Sequence, residues 1–299
     1  MTTSRLRRTL VVLLAVLTLG LVALPAAAIT GGTVDAANRY SDVGMIAFYD
    51  DEGRFRCSAT LVTSTVLLTA AHCTDGTIGK TVVTFKVLVD DAAPSDVPRA
   101  PDDNATPPTG TSKTGYTPGQ TLPAGWFRGT AYTHPEYSDF TDLKNWNDVG
   151  VVVLDAPVTG ITPAGIAPEH YLDQFAQPRL NKTLVTLVGY GTEVRQEASA
   201  NGNMKPTPMS YPIVRRYTDE VGQKLTPQIL QTNGNEHDNR GGGGSCFGDS
   251  GGPSFKGGNV VTVTSYGYTS NCRYLGGLQR VDIPVVQDWL DDFGVVPAA

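Results

Sequence analysis

Short apolar segments rich in β-branched residues constrain the fold of this chain more than any other feature. Turn-forming residues separate them, and the 299 residues include 33 Gly and 20 Pro. Such a pattern predicts β-strands joined by turns. The predicted strands run from Val43 to Tyr49, Ala59 to Val62, Val66 to Ala70, Thr81 to Val89, Val149 to Leu154, Thr183 to Val188 and Val260 to Tyr266.

A helical period of apolar residues occurs only near the C-terminus. Asp282, followed by Ile283 and Pro284, is typical of an N-cap with a proline in the first turn, and Gly294 suits the end of a helix. One helical face carries Val285, Val286, Trp289, Leu290 and Phe293. The sequence therefore predicts a mostly β fold with one closing α-helix.

The first 28 residues are typical of a secretory signal peptide. Arginines precede an apolar run from Leu10 to Leu24, and three alanines end the segment. A membrane anchor is the alternative, but it needs about 20 apolar residues, and this run is shorter and ends at Pro25. A twin-arginine signal at Arg7 and Arg8 is less compatible with so apolar a core. We predict a cleaved signal over residues 1–28 and a secreted, extracellular mature chain.

Charge and composition narrow the classes of partner. Signal removal would take away three arginines and no acidic residue, so the mature chain would be more acidic than the formal net charge of −6 of the whole chain. The sequence has no basic run for nucleic acid and no second apolar run that could span a membrane. We expect a monomer with no nucleic-acid partner and, after signal removal, no membrane partner.

The four cysteines are an even number in a chain that is expected to be exported, and this combination favours disulfides. A metal site is the alternative. No C-x-x-C pair occurs, however, and His72 beside Cys73 is the only histidine next to a cysteine. The sequence shows no cofactor motif, so we expect neither a cofactor nor a metal.

The segment Gly248–Pro253 (GDSGGP) gives the sharpest functional signal. Glycines around Ser250 allow a tight turn that exposes the hydroxyl and lets backbone N–H groups point at one spot. A serine nucleophile needs a base and a site that stabilises an oxyanion. A glycine-rich hairpin loop is the alternative, and the complete hexapeptide argues against it.

Two further motifs supply groups that could activate this serine. His72 ends the segment TAAH after an apolar strand, and histidine can take a proton near neutral pH. Asp148 opens the apolar segment Val149–Leu154. Alone, this aspartate would be interpreted as a strand cap. Beside the other two motifs, it is the acid expected to fix the tautomer of His72.

These three motifs, in the order His, Asp, Ser, resemble those of the chymotrypsin-like (trypsin-fold) serine peptidases. Ile29–Gly32 (ITGG) is similar to the mature N-terminus of that family. Gly189–Thr192 (GYGT) is similar to its Gly-Trp-Gly-Thr segment, and Ser265–Gly267 (SYG) to its substrate-binding strand, each with Tyr in place of Trp. The resemblance extends from Ile29 to the final helix.

The resemblance implies two antiparallel six-stranded β-barrels, packed together with a C-terminal α-helix, and an active site between the barrels. The peptidase domain would cover residues 29–299. Its N-terminal barrel would lie at about 29–160, and its C-terminal barrel with the final helix at about 161–299. The family's disulfides would join Cys57 to Cys73 and Cys246 to Cys272.

The resemblance also implies roles for the candidate residues in the hydrolysis of a peptide or protein substrate. Ser250 would attack the peptide carbonyl, His72 would act as general base and acid, and Asp148 would orient the histidine. The backbone N–H groups of Gly248 and Ser250 would form the oxyanion hole.

One strand, Ser265, Tyr266 and Gly267, has two implied roles. The Ser265 hydroxyl would support the catalytic aspartate, and the backbone of the strand would pair with the substrate.

Activation is the first point at which this chain departs from many members of the family. In the family, a freed Ile ammonium pairs with the Asp before the nucleophile, which implies Ile29 and Asp249 here. Ala28 ends the apparent signal site, and Ile29 follows at once. Signal removal would itself create the active N-terminus, without a separate zymogen.

Primary (P1) specificity is implied by the residues of the pocket. The family residue at its base corresponds to Gly244, and the walls to Gly267 and Gly277, or to Gly276 if the loop after Cys272 shifts. None is acidic, so the implied P1 residue is large and apolar. The alternative is trypsin-like basic specificity, if the glycine run 241–244 rearranges and brings Glu236 or Asp238 to the pocket.

Two other functions are compatible with this sequence. A catalytically inactive relative that serves as a binding protein would normally have lost His, Asp or Ser, and all three are present. A narrow processing enzyme is the second, because the insert between Thr77 and Trp126 could restrict access to the site.

Overall fold

The computed structural model describes residues 29–90, 95–105, 109–142, 144–192, 195–198, 204–207, 213–235, 237–269 and 272–298. The predicted signal peptide and Glu236 lie outside the described residues. Within this part of the chain, no helix is long and apolar enough to cross a membrane.

The elements follow one another in the order β1–β18, then α1. The strands are β1 Thr33–Val34, β2 Val43–Tyr49, β3 Arg54–Leu61, β4 Val66–Thr69, β5 Ile78–Thr84, β6 Leu88–Val89, β7 Trp126–Thr133, β8 Gly150–Leu154, β9 Gly165–Ile166, β10 Leu184–Gly189, β11 Arg195–Ala198, β12 Met204–Thr207, β13 Ile213–Val214, β14 Arg216–Leu225, β15 Ile229–Asn233, β16 Pro253–Lys256, β17 Asn259–Gly267 and β18 Leu275–Arg280. The α-helix α1 is Pro284–Asp291, and short 3-10 helices occur at Ala71–Cys73, Tyr171–Phe175 and Leu180–Lys182.

The first barrel closes in the strand order β2-β3-β4-β8-β7-β5. β2 is buried along its whole length because its two faces serve different cores. Ile46 and Phe48 pack with residues of the same barrel. The alternate residues of β2 pack against Val188 and Tyr190 of the second half of the chain. This strand therefore joins the two halves, which explains why its sequence is apolar without alternation.

The second barrel has the strand order β14-β10-β16-β17-β18-β15, and the pairing of β15 with β14 closes it. β1 pairs with β14 outside this ring, so the N-terminal segment is attached to the second barrel. The prediction of two antiparallel six-stranded barrels with a C-terminal helix is confirmed.

Five of the seven predicted strands lie within one residue of their expected bounds, while β3 begins five residues earlier and β5 ends five residues earlier than predicted. The barrel strands β7, β14, β15, β16 and β18 and the short strands β1, β9 and β11–β13 were not predicted. β14 is mostly polar (RYTDEVGQKL), and β18 contains two adjacent glycines. Neither has the apolar, β-branched composition that indicates a strand, and cross-strand pairing determines their conformation instead.

The C-terminal helix begins at Pro284, as its proline suggested, but the prediction of Asp282 as its N-cap is wrong. Ile283 occupies the cap position without a side-chain hydrogen bond. Asp282 is instead buried, where it pairs with Arg280 and accepts a hydrogen bond from the backbone N–H of Leu172. The Asp282 carboxylate is therefore engaged in an ion pair with Arg280 and does not cap the helix.

The insert expected between Thr77 and Trp126 begins with β5, which is a strand of the first barrel, and its remaining described residues are anchored on that barrel. Tyr116 is buried, and its ring lies 5.1 Å from that of Tyr49 on β2. The Tyr49 hydroxyl donates to buried Asp103 at 2.9 Å and accepts from the backbone N–H of Ala100 at 3.1 Å. The insert thus has a small core of its own against β2.

Candidate active site

His72 lies in the 3-10 turn that directly follows β4. The turn is held by a disulfide between Cys73 and Cys57 of β3, as the family resemblance implied. The His72 side chain is about one-fifth exposed, at 22%. Cys57, His72 and Cys73 form the one cluster of metal-ligating side chains found in the described residues. Both sulfurs are used in the disulfide, so this cluster cannot supply the three ligands.

Asp148 is fully buried at the entry to β8, and its carboxylate faces His72. Its Oδ2 lies 2.9 Å from His72 Nδ1, and its Oδ1 accepts from the backbone N–H of His72 at 2.9 Å. The Ser265 hydroxyl donates to Oδ2 at 2.6 Å. A carboxylate only accepts hydrogen bonds, so His72 carries its proton on Nδ1 and leaves Nε2 as the basic nitrogen.

The backbone at Asp148 is held by buried amides of the second barrel. Its N–H donates to Gln279 Oε1 at 3.1 Å, and the Gln279 amide donates to Gln228 Oε1 at 3.0 Å. Gln228 in turn donates to the side chain of Asn147 at 3.0 Å. Sequence analysis missed both glutamines. Gln228 is 81 residues from Asn147 and Gln279 is 131 residues from Asp148, and no local pattern indicates that such distant residues meet.

Ser250 lies in a tight turn whose glycines adopt backbone conformations that other residues rarely take. φ is +97° at Gly248 and +73° at Gly251. The Ser58 hydroxyl donates to the Gly248 carbonyl at 2.9 Å, and the Ser58 N–H donates to the Ser250 carbonyl at 2.8 Å. Both bonds tie the turn to β3 through its carbonyls. The N–H groups of Gly248 and Ser250 donate to no acceptor in the described part of the chain.

Gly251 brings the Ser250 turn against the segment that leads into His72. A Cβ at Gly251 would overlap the Thr69 hydroxyl and lie 2.7 Å from the Ala70 nitrogen. Only glycine permits this approach. Within the described residues, no hydrogen bond joins His72 to the Ser250 hydroxyl. In enzymes without substrate, hydrogen bonds between catalytic groups are often long, and they tighten when substrate binds.

Ile29 and Asp249 are both buried near the Ser250 turn. Thr30 and Gly244 exchange two backbone hydrogen bonds, at 3.0 and 2.9 Å, which hold Ile29 in place. The Asp249 carboxylate accepts from the backbone N–H groups of Gly191 and Cys246 at 2.7 and 2.8 Å. Burial raises its pKa to about 7. No ion pair between Ile29 and Asp249 is recorded in the described residues, where the Ile29 nitrogen is an uncharged peptide amide.

A cavity of about 310 Å³ opens beside Ser250, and none of the described residues that line it is charged. Its walls are Ser245, Cys246, Phe247, Ser250, Thr264, Ser265, Tyr266, Gly267, Tyr268, Thr269 and Cys272. The predicted residues Ser265, Tyr266 and Gly267 therefore lie at this cavity, and the disulfide between Cys246 and Cys272 closes one side of it.

Gly244 and Gly277 were predicted at this pocket but do not line the cavity. Gly244 is packed between backbone atoms, because a Cβ there would lie 2.6 Å from the Gly234 carbonyl oxygen. The Tyr266 ring covers Gly277 so closely that a Cβ would overlap it. The alternative wall, Gly276, instead faces the Ser245 hydroxyl, 3.5 Å from its ideal Cβ position.

A buried carboxyl that sequence analysis missed, Glu220 of β14, lies behind this cavity. It accepts from the backbone N–H of Ser245 at 3.0 Å and from the Thr232 hydroxyl. Burial raises its pKa to about 7, and the nearby Asp249 adds to this effect. Asp238, the acid considered for the pocket, is instead paired with Arg240 at 2.8 Å.

Comparisons with known proteins agree with this architecture. The model of the trypsin family matches residues 29–290. A structure described as HL collagenase is similar over 90% of this chain and 100% of its own, with 17% identity and a TM-score of 0.60. Human heparin binding protein is similar over 91% of this chain and 100% of its own, with 16% identity and a TM-score of 0.55. No curated protein matches the chain. At these identities, the likeness to solved structures shows the fold alone.

Proposed function

Because the chain belongs to the trypsin family, we propose that it is a secreted serine endopeptidase that uses Ser250, His72 and Asp148. One observation carries this proposal. The buried Asp148 carboxylate accepts hydrogen bonds from His72 Nδ1 and from the Ser265 hydroxyl, and this arrangement fixes the histidine as a base at Nε2.

The reaction follows from these positions. His72 Nε2 removes the hydroxyl proton as Ser250 Oγ bonds to the peptide carbonyl carbon. The carbonyl π electrons move to its oxygen, and the N–H groups of Gly248 and Ser250 stabilise this oxyanion. His72 then gives its proton to the leaving amine as the C–N bond breaks. Water attacks the acyl-enzyme by the same route, with His72 again as base, and restores Ser250.

Reaction with a fluorophosphonate distinguishes this enzyme from an inactive binding protein. The distinction matters because one structural neighbour is described as a heparin binding protein. We expect the mature protein to be labelled once per chain and Ser250→Ala to remain unlabelled, because the serine oxygen is the group that reacts. Absence of labelling in the folded mature protein would contradict the proposal, and so would equal labelling of Ser250→Ala.

The uncharged cavity beside Ser250 supports a preference for large apolar P1 residues such as Phe, Tyr or Leu. Its lining supplies aromatic and backbone surface and no carboxylate. A peptide library varied at P1 tests this preference on the mature protein, with Ser250→Ala as the control for contaminating activity. Cleavage after Arg or Lys with none after aromatic residues would instead support trypsin-like specificity.

The mature N-terminus at Ile29 belongs to the same proposal. Ile29 is already buried, and Thr30 is paired with Gly244 beside the nucleophile turn. A freed ammonium at Ile29 would add a positive charge to those of Arg56 and Arg216, which already act on the buried Asp249 carboxylate, and would lower its pKa from about 7. N-terminal sequencing of the active secreted protein should therefore begin at Ile29. An active protein with any other first residue would exclude activation by signal removal alone.

A further inference from the structure

Trp146 makes a hydrogen bond to the serine that supports the catalytic aspartate. Its Nε1 donates to the Ser265 hydroxyl at 3.0 Å, and the same hydroxyl donates to Asp148 Oδ2 at 2.6 Å. All three side chains are buried, and Trp146 is 7% exposed. The indole N–H, the hydroxyl and the carboxylate therefore form one continuous chain of hydrogen bonds that ends at His72.

The chemistry of the three groups gives this chain one direction. An indole N–H can only donate and a carboxylate oxygen can only accept, whereas a hydroxyl has one proton and can do both. Because Trp146 donates to the Ser265 oxygen, the single Ser265 proton is directed to Asp148. Hydrogen bonds in such a row also polarise one another, so the first bond strengthens the second.

Packing fixes the plane of the indole and hence the direction of its N–H. The centroid of the Trp146 ring lies 5.2 Å from that of the Phe140 ring and 5.1 Å from that of the Tyr266 ring. Phe140 in turn lies 5.7 Å from the His72 ring. The indole therefore cannot turn its N–H away from Ser265 without disturbing two aromatic neighbours.

A second buried tryptophan shows that burial alone does not provide this bond. Trp126 of β7 is as buried as Trp146, at 6% exposed, but its Nε1 has no hydrogen-bond partner in the described part of the chain. The partner of Trp146 is thus specific to its position. Trp126 also provides a matched control for the loss of an indole N–H from the interior.

We propose that Trp146 is a positioning residue of the peptidase, acting through the Ser265 hydroxyl to hold the Asp148 carboxylate in its orientation toward His72. The inference rests on the proposed function. It assigns to Trp146 a role in the chemical step, in addition to its role in the core. Trp146 touches neither the nucleophile nor the Asp148 carboxylate in any recorded hydrogen bond, so its effect must pass through Ser265.

The test replaces the Trp146 N–H without changing the shape of the ring. Benzothienylalanine, in which sulfur takes the place of the N–H, is incorporated at position 146, alone and together with Ser265→Ala, and at position 126 as the control. With turnover normalised to fluorophosphonate-reactive sites, we expect kcat to fall about tenfold and KM to change less than twofold at position 146. The same change should have no further effect in Ser265→Ala and none at position 126.

A double-mutant cycle separates this role from a structural one. Loss of kcat that is equal in the presence and absence of the Ser265 hydroxyl would overturn the proposal. An unchanged kcat at position 146, or an equal loss at position 126, would also overturn it.

A second readout does not depend on turnover, so it distinguishes failure of this inference from failure of the proposed function. The His72 Nδ1 proton, bonded to Asp148, gives a downfield NMR resonance that is assigned by its absence in His72→Ala. We expect this resonance to move when the N–H of Trp146 is removed, and not to move further in combination with Ser265→Ala. An unmoved resonance refutes the positioning role, whether or not the protein hydrolyses peptides.

Discussion

Replacing Asp148 by Asn is expected to lower kcat by roughly 10⁴-fold, with little effect on folding. The side chains have the same shape, but the amide NH₂ donates where the carboxylate accepts. Asp148 Oδ1 receives the backbone N–H of His72, which cannot turn away, so the NH₂ of the asparagine would occupy the Oδ2 position. There it faces His72 Nδ1, forces the proton onto Nε2 and removes the base.

Peptide hydrolysis and the rate of fluorophosphonate labelling both measure this effect. Asp75→Asn is the matched control, because Asp75 is an exposed carboxylate three residues after His72 with no recorded bond to it. We expect its activity to stay within about twofold of the parent, as for most surface substitutions. A loss of less than tenfold in Asp148→Asn would mean that the histidine does not depend on this carboxylate for its tautomer.

Replacing Arg215 by Met is expected to lower the free energy of unfolding by about 3–5 kcal/mol. Arg215 is fully buried and pairs with buried Asp35 at 2.9 Å. Its guanidinium also donates to the Val43 carbonyl at 2.9 Å, the Phe85 carbonyl at 3.2 Å and the Tyr190 hydroxyl at 3.2 Å. Methionine fills much of the volume but leaves the Asp35 charge and two carbonyls without this donor.

Urea denaturation of the mature protein measures the loss. Arg240→Met is the control, because the Arg240 side chain is 46% exposed and keeps contact with water while it pairs with Asp238. Its unfolding midpoint should not move measurably. Adding Asp35→Asn to Arg215→Met should recover part of the lost stability, since it removes the stranded charge. An Arg215→Met midpoint close to that of the control would show that the buried pair of Arg215 and Asp35 does not stabilise the fold.

The strands that sequence analysis identified share one property: their local residue composition indicates a strand. β2 and β8 are continuous apolar, β-branched segments that gain stability only when buried in a sheet, and turn residues bound them. β14 and β18 lack that composition and became strands through their neighbours. Each of these strands pairs with a strand that is distant in sequence, and a local sequence pattern cannot indicate such a pairing.

The sequence by itself determined the closely spaced features around the candidate nucleophile. Gly248 and Gly251 are needed because the turn adopts positive φ and because Thr69 and Ala70 approach within the space of a side chain. Such requirements restrict single positions to glycine, so they are written in the local sequence. The order of the His72, Asp148 and Ser250 motifs can also be read from the sequence alone. Together with the other motifs, it indicated both the family and the two-barrel fold.

Only the tertiary structure decided which buried polar groups meet. Trp146 reaches Ser265 across 119 residues, Gln279 reaches Asp148 across 131, and Glu220 lies behind Ser245. Each of these side chains could equally have occupied an ordinary core or surface position. Closure of the two barrels sets their partners, because a buried donor or acceptor must find its hydrogen bond wherever the strands bring it. The tertiary structure also places the Tyr266 ring over Gly277, where the family resemblance implied an open glycine wall.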